Sequence, residues 1–265
     1  MSSFNTRGWL AVLLVLALAL TLTWVGVQHP AQDPGGSGGG TGGDTPSDPH
    51  PLWGIDTVNV VDPSFYACVA DNYGTPAFVG RYLKSIPDIS QGVTSSEVKF
   101  LHARDVKLLL IDNNFSSATG YENGQQEAQA AIEAAKRVGV PQDANIPLFA
   151  DIETTYPVDA AWLKGWITTF DGSPYMAGFY ANPLNGGFNA AYQQVVNQDR
   201  MLVLDTYVWS QQPSLGVTTE ANAPAYDPAR PDAPANTWVW QYGLEGKACN
   251  IDTDLIDSRL YDQLW

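Results

Sequence analysis

Eight short apolar runs recur between residue 52 and the carboxyl terminus, and this recurrence restricts the fold more than any other feature of the chain. The runs cover residues 52–56, 77–83, 106–113, 146–153, 175–182, 200–209, 237–242 and 250–256. Each has the length of a buried strand, and turn-forming residues or amphipathic stretches separate them. Residues 125–138 put Ala128, Ala131, Ile132 and Ala135 on one helical face, with Lys136 and Arg137 near the end and Gly139 and Pro141 as stops. Thr94, Ser95, Ser96 and Glu97 form a capping box that opens a second helix, and Trp162, Trp166 and Phe170 stripe a third. Strands alternating with helical crossovers form an α/β fold. Eight of them in about 210 residues predict a (β/α)8 TIM-type barrel with some crossovers shortened.

Ahead of this domain the composition changes twice. Arg7 ends a short leading segment, residues 1–7, and residues 8–28 begin an uncharged run close to the roughly 20 residues that a spanning helix needs. That segment reads as a signal anchor or a signal peptide. The run exceeds the usual h-region of about 7 to 15 residues and lacks a clear small-x-small cleavage pattern, which favours the anchor. A charged leading side predicts a cytoplasmic amino terminus and an exported remainder, either membrane-anchored or secreted. Residues 29–51 are dominated by Gly, Pro, Ser, Thr and Asp and form a flexible linker, leaving residues 52–265 as the folded domain. The glycine runs in this linker mimic a hydrolase elbow and a dinucleotide loop, but they follow no strand and open no helix.

The formal charge is −15, with 28 acidic against 13 basic residues. No basic stripe exists to neutralise phosphates, so nucleic acid is excluded as a partner. Of three histidines, His29 and His50 precede the domain and leave His102 alone, so neither a zinc site nor a Ser-His-Asp triad is expected, and no cofactor. Export permits a disulfide between the two cysteines, Cys68 and Cys249. In a closed barrel the first helix and the loop before the eighth strand flank neighbouring strands, and this favours the pairing over two buried thiols.

The chemistry concentrates at strand ends. Asp151 and Glu153 sit two apart at the end of the fourth run, on one face, with backbones roughly 6 to 7 Å apart. Each charge there disfavours the other, so one carboxyl should climb in pKa, the condition that glycoside hydrolysis uses. Asp56 closes the first run, Asp112 the third, and Asp252 and Asp254 lie in the eighth. Asp112, followed by two asparagines, also suits a helix cap. Arg81 is the nearby cation, available either to offset the acid pair or to contact substrate. On the seventh run Trp238, Trp240 and Tyr242 share one face and Val239 and Gln241 the other; only one face can line the barrel. Trp240 and Gln241 would each suit a sugar cleft, by stacking and by amide hydrogen bonds. Tyr180, at the end of the fifth run, has a phenol placed either to reach a neighbouring acid or to pack in the core. The proline-rich residues 210–236 would leave the sixth strand on the active face and form a cleft wall or a surface insertion.

Taken in order, Gly54-Ile55-Asp56, Phe149-Ala150-Asp151-Ile152-Glu153, Gly178-Phe179-Tyr180, Trp240-Gln241-Tyr242 and Ile251-Asp252-Thr253-Asp254 resemble the family-25 muramidases, lysozyme-like barrels. The segment Phe78-Val79-Gly80-Arg81-Tyr82-Leu83, the Ala-rich helix and the strand after it are similar to the exported glycoside-hydrolase-like domains of Gram-positive bacteria. This resemblance implies a barrel acting on, or binding, the glycan of cell-wall peptidoglycan. Carried onto this chain, Glu153 would be the general acid, and Asp151 would orient or polarise the nucleophile. Asp56 and either Asp252 or Asp254 would support substrate and the acid pair, and Tyr180 and Gln241 would bind sugar. Chitinase-like barrels also end a fourth strand in Asp-x-Glu, but they carry a further acid upstream where this chain has Leu148 and Phe149. A non-catalytic glycan-binding or wall-organising protein on the same barrel is the alternative reading.

Overall fold

The computed structural model describes residues 50–265. The strands are β1 (Pro51–Asp56), β2 (Phe78–Tyr82), β3 (Lys107–Asp112), β4 (Ile146–Ile152), β5 (Tyr175–Ala181), β6 (Tyr207–Gln211), β7 (Asn236–Gly243) and β8 (Asp252–Asp257), and they close in sequence order into a barrel. Helices α1 (Pro63–Asn72), α2 (Ser95–His102), α3 (Tyr121–Val138), α4 (Ala160–Phe170) and α5 (Phe188–Gln198) cover its outside, and α6 (Ser258–Tyr261) follows β8. The leading segment 8–28 and nearly all of the linker 29–51 lie outside the described residues. Among the described residues, no helix is long and apolar enough to cross a membrane.

The capping signals act where the sequence places them. Thr94 Oγ1 accepts from Glu97 N, and the Glu97 side chain returns to the Thr94 amide. Gly139, at φ 96°, ends α3 in the left-handed region that glycine enters without strain. Helices α3 and α4 pack closely because Gly124 and Gly165 leave room for the opposing backbone.

Two elements depart from expectation. The sixth strand is confined to Tyr207–Gln211, because Asp199 accepts from Met201 N and starts a 3-10 turn over Arg200–Val203. Strand β8 pairs antiparallel with both β7 and β1, whereas an unbroken (β/α)8 repeat would make it parallel. The cause is connection length: residues 244–251 are too few for a parallel crossover, which takes a dozen or more. The reversal matters for the site, since it brings the first residue of β8, Asp252, opposite the last residue of β1, Asp56. Residues 212–235, read as a cleft wall or a surface insertion, form no α-helix. They lie on the outside of the barrel, where Leu215 N donates to Tyr242 O, Thr218 Oγ1 meets Tyr242 Oη and Tyr226 packs on Trp240. This segment takes the place of the missing helix.

Two apolar layers result. The outer one, between sheet and helices, takes Ile55, Val79, Leu108, Leu110, Leu148, Trp162, Trp166 and Trp240. The inner one fills the barrel with Phe78, Leu109, Ile111, Phe149, Trp209, Val239 and Ile256. Glycines on the inner face make the rings fit: the Phe78 ring lies over Gly54, and a Cβ on Gly178 would stand 2.6 Å from Phe149 Cδ1. Gly178→Ala is therefore expected to cost about 1–3 kcal/mol by overpacking. A urea midpoint equal to wild type would show that the inner layer has slack.

Cys68 on α1 and Cys249 before β8 are joined by a disulfide, with Cα atoms 6.2 Å apart, as the barrel geometry predicts.

Candidate active site

Strand alternation decides which side chains reach the mouth. On β4, Phe149 points into the barrel, so Asp151 does too, and Glu153 follows on the same face just past the strand end. Asp151 pairs in register with Tyr180, and Tyr180 with Trp209. Asp56 pairs with Gly80 on one side and Asp252 on the other, while Asp254 lies opposite Gln241. Five carboxyl groups, those of Asp56, Asp151, Glu153, Asp252 and Asp254, thereby meet at one end of the barrel.

Hydrogen bonds tie most of them together. Tyr180 Oη donates to Gln241 Oε1 at 2.9 Å, and Gln241 Nε2 donates to Asp56 Oδ2 at 2.7 Å and Asp252 Oδ2 at 3.3 Å. Trp209 Nε1 donates to Asp254 Oδ1 at 2.9 Å, and Gln211 Nε2 to Glu153 Oε2 at 3.2 Å. Glu245 N donates to the other oxygen of Asp252 at 2.7 Å. Asp151 is 5% exposed, and its Oδ1 has no partner.

Burial is the first cause of the electrostatics. It drives Asp151 well above the usual carboxylate range, and the charges of Glu153, Asp56 and Asp112 add to it. Asp254 is raised well above its ordinary value by burial and then by Asp56. Asp56 goes up to about 6, burial outweighing its bonds to Gln241 and Asp254. Asp252 goes up to about 8, by burial and the Asp56 charge.

The rise expected within the acid pair thus falls on Asp151. It has a consequence for stability. An acid whose folded pKa exceeds its unfolded value of 3.8 binds more protons folded than unfolded, so stability falls as pH rises through that interval. For Asp56 the interval runs from 3.8 to about 6, and for Asp252 from 3.8 to about 8. Tm should therefore drop by roughly 5 °C or more between pH 5 and pH 8.5. A Tm that is flat or rises over this range would show that these acids ionise without cost.

Two sequence-based assignments need correction. Arg81 does not line the site: it is fully buried, its Nε donating to Glu97 Oε1 at 2.6 Å and its other nitrogens to Thr57 O and Gln91 O. Its alternation partner Tyr82 reaches the mouth instead, facing Asp151, Asp56, Glu153 and Asp252. Trp240 lies in the outer layer, 3% exposed, with Nε1 donating to Gln212 O. Val239 and Gln241 hold the inner face of β7. Asp112 also faces outward, with Lys84 Nζ 2.9 Å from its Oδ1.

Tyr82, Trp209 and Gln211 belong to the site and were missed in the sequence. Period-two alternation from Phe78 through Gly80, and from Tyr207, was the signal that would have found them. Between Asp56, Thr57, Tyr82, Asn250 and Asp252 lies a recess of about 60 Å³. Among the described residues, no group of three or more His, Cys, Asp or Glu side chains is arranged to hold a metal.

A family model described as Rv2525c-like, glycoside hydrolase-like domain matches residues 74–256. Among solved structures, an uncharacterized B. stearothermophilus protein is 42% identical with a TM-score of 0.79, the match covering 81% of this chain and 100% of that one. The Clostridium perfringens spore cortex lytic enzyme SleM is similar at 13% identity and TM-score 0.53, over 78% of this chain and 67% of its own. A muramidase from Acremonium alcalophilum is similar at 15% and 0.52, over 80% and 98%. At these identities the last two show a shared barrel. No curated protein matches the chain. Because the family model spans well over half of the sequence and a 42%-identical relative matches along its whole length, the chain belongs to the family of Rv2525c-like glycoside hydrolase-like domains.

Proposed function

We propose that this domain hydrolyses the glycan of cell-wall peptidoglycan outside the cytoplasm, with Glu153 as the proton donor. The observation that carries the reading is the meeting of five carboxyl groups at the barrel mouth while the nearby guanidinium of Arg81 is engaged by Glu97. Such crowding costs stability, and acids of displaced pKa cluster at functional sites.

Glycosidic cleavage develops positive charge on the sugar ring, which a mouth of carboxylates stabilises. Glu153 is half-buried and Asp151 buried, so Glu153 is the acid that an entering glycan meets first. Glu153 gives its proton to the bridging oxygen as the bond to the anomeric carbon breaks. Asp151 and Glu153 share one proton, and when Glu153 carries it toward the leaving oxygen the ionised Asp151, a strong base in its buried setting, takes a proton from the water whose oxygen bonds to that carbon. One water is added across the bond. Tyr180 donates to Gln241, whose amide in turn holds Asp56 and Asp252 in place.

The muramidase and the spore cortex lytic enzyme that share the barrel support a wall glycan as substrate. The disulfide supports an oxidising compartment, reached through segment 8–28 as anchor or signal peptide.

A second reading, a non-catalytic glycan binder, is favoured by the small recess beside Asp56. Incubating the full chain with purified peptidoglycan separates the two. Release of soluble reducing ends is the expected result. Sedimentation with the wall and no release would establish the binder, and neither outcome would remove both.

A further inference from the structure

Resting on the proposed site but going beyond it, we infer that Asp254 is a neutral, proton-bearing acid that donates a hydrogen bond to Asp56, held in that role by Trp209 as a positioning residue. Asp254 is 0% exposed, so both of its oxygens must find partners inside the barrel. Oδ1 accepts from Trp209 Nε1 at 2.9 Å. Oδ2 has no donor at all, and the Asp56 carboxyl lies within hydrogen-bonding reach of Asp254. Two facing carboxylates in such a place repel each other, and the one cation that acts on Asp56, Arg81, is already paired with Glu97. One proton between them satisfies both.

The proton belongs on Asp254 rather than Asp56. Asp56 is slightly exposed and accepts a 2.7 Å bond from Gln241 Nε2, a donor that stabilises its charged form. Asp254 is the deeper of the two, 0% exposed against 9% for Asp56, and burial raises its carboxyl well above the ordinary range. The surroundings add no cation to reverse this. Around the pair stand Asp252 on β8, Gln241 on β7, Trp209 on β6, Tyr180 on β5, Asp151 and Glu153 from β4, and Tyr82 and the engaged Arg81 on β2.

Gly80 makes the arrangement possible. A Cβ there would lie 2.5 Å from Asp56 Cβ and 2.9 Å from Trp209 Cη2, so the missing side chain lets the indole cross the barrel and reach Asp254. Asp254 then acts on the reaction only through Asp56.

The test compares Asp254→Asn with Asp254→Leu and reads the carboxyl directly. Asn keeps a neutral donor toward Asp56, whereas Leu removes it. In the full chain labelled with carboxyl-¹³C aspartate, the resonance that disappears in Asp254→Asn should stay at its protonated position at pH 7. The same variant should keep the wild-type Tm at pH 7. Asp254→Leu should lower the Tm by several degrees and, where wall hydrolysis is measurable, its rate about tenfold or more, through loss of the bond to Asp56. An ionised Asp254 resonance at pH 7, or an Asn variant as destabilised as the Leu variant, would overturn the inference. The resonance and the Tm decide it even if the chain cuts no glycan, so this failure is distinct from failure of the proposed hydrolysis.

Discussion

Glu153→Gln is expected to lower wall-glycan hydrolysis by about 10²- to 10⁴-fold while leaving the fold intact. The amide has nearly the shape of the carboxyl but no proton to give to the leaving oxygen. Glu153 is half-buried, lies past the end of β4 and receives one weak hydrogen bond, from Gln211 Nε2 at 3.2 Å. The oxygen of the new amide can still accept from that partner, so Tm should change by no more than a few degrees. Rates of reducing-end release and thermal melts of the same preparation check this together. A Tm that falls in step with activity would make Glu153 a structural residue.

Removing the disulfide is expected to have the largest effect on stability. Cys68 and Cys249 are 181 residues apart in sequence, so their bond closes nearly the whole domain into one loop. Chain entropy alone puts the stabilisation at about 5 kcal/mol for a loop of this length, comparable with the whole stability of many domains. The double variant Cys68→Ser with Cys249→Ser should therefore unfold at much lower urea than wild type. Other contacts also join the same regions: Ala248 N donates to Tyr73 Oη at 2.9 Å, and Thr57 Oγ1 to Asn250 O at 2.6 Å. A loss below about 1 kcal/mol would mean that these contacts hold the loop without the bond.

Much of this was legible in the sequence because period-two and period-3.6 patterns are written in apolar residues. The eight runs, the capping box at Thr94 and the shared face of Asp151 and Glu153 all follow from spacing. The direction of β8 is not written in its apolar pattern, since a strand reads alike both ways. The eight-residue connection before it carried that information through length alone. The chemistry of Arg81 and Trp240 suits a sugar site, whereas alternation decides which face a side chain takes. Phe78 and Gly80 fix Tyr82 inward and Arg81 outward, and Val239 fixes Gln241 inward and Trp240 outward. Trp209 depends on a distant partner, the absent side chain of Gly80, and no local pattern encodes that pairing. The role of residues 212–235 was equally hidden, because their proline content marks an irregular segment without saying which surface it covers.

The central claim is that the acids at the barrel mouth break a glycosidic bond by adding water to it. Digesting purified peptidoglycan in ¹⁸O-water with wild type and Glu153→Gln, followed by mass spectrometry of the soluble products, tests it most directly. The account predicts one ¹⁸O atom on the new reducing-end sugar of wild-type products and no labelled product from Glu153→Gln. Label in a peptide carboxyl instead of the sugar, or equal sugar labelling by both proteins, would contradict it.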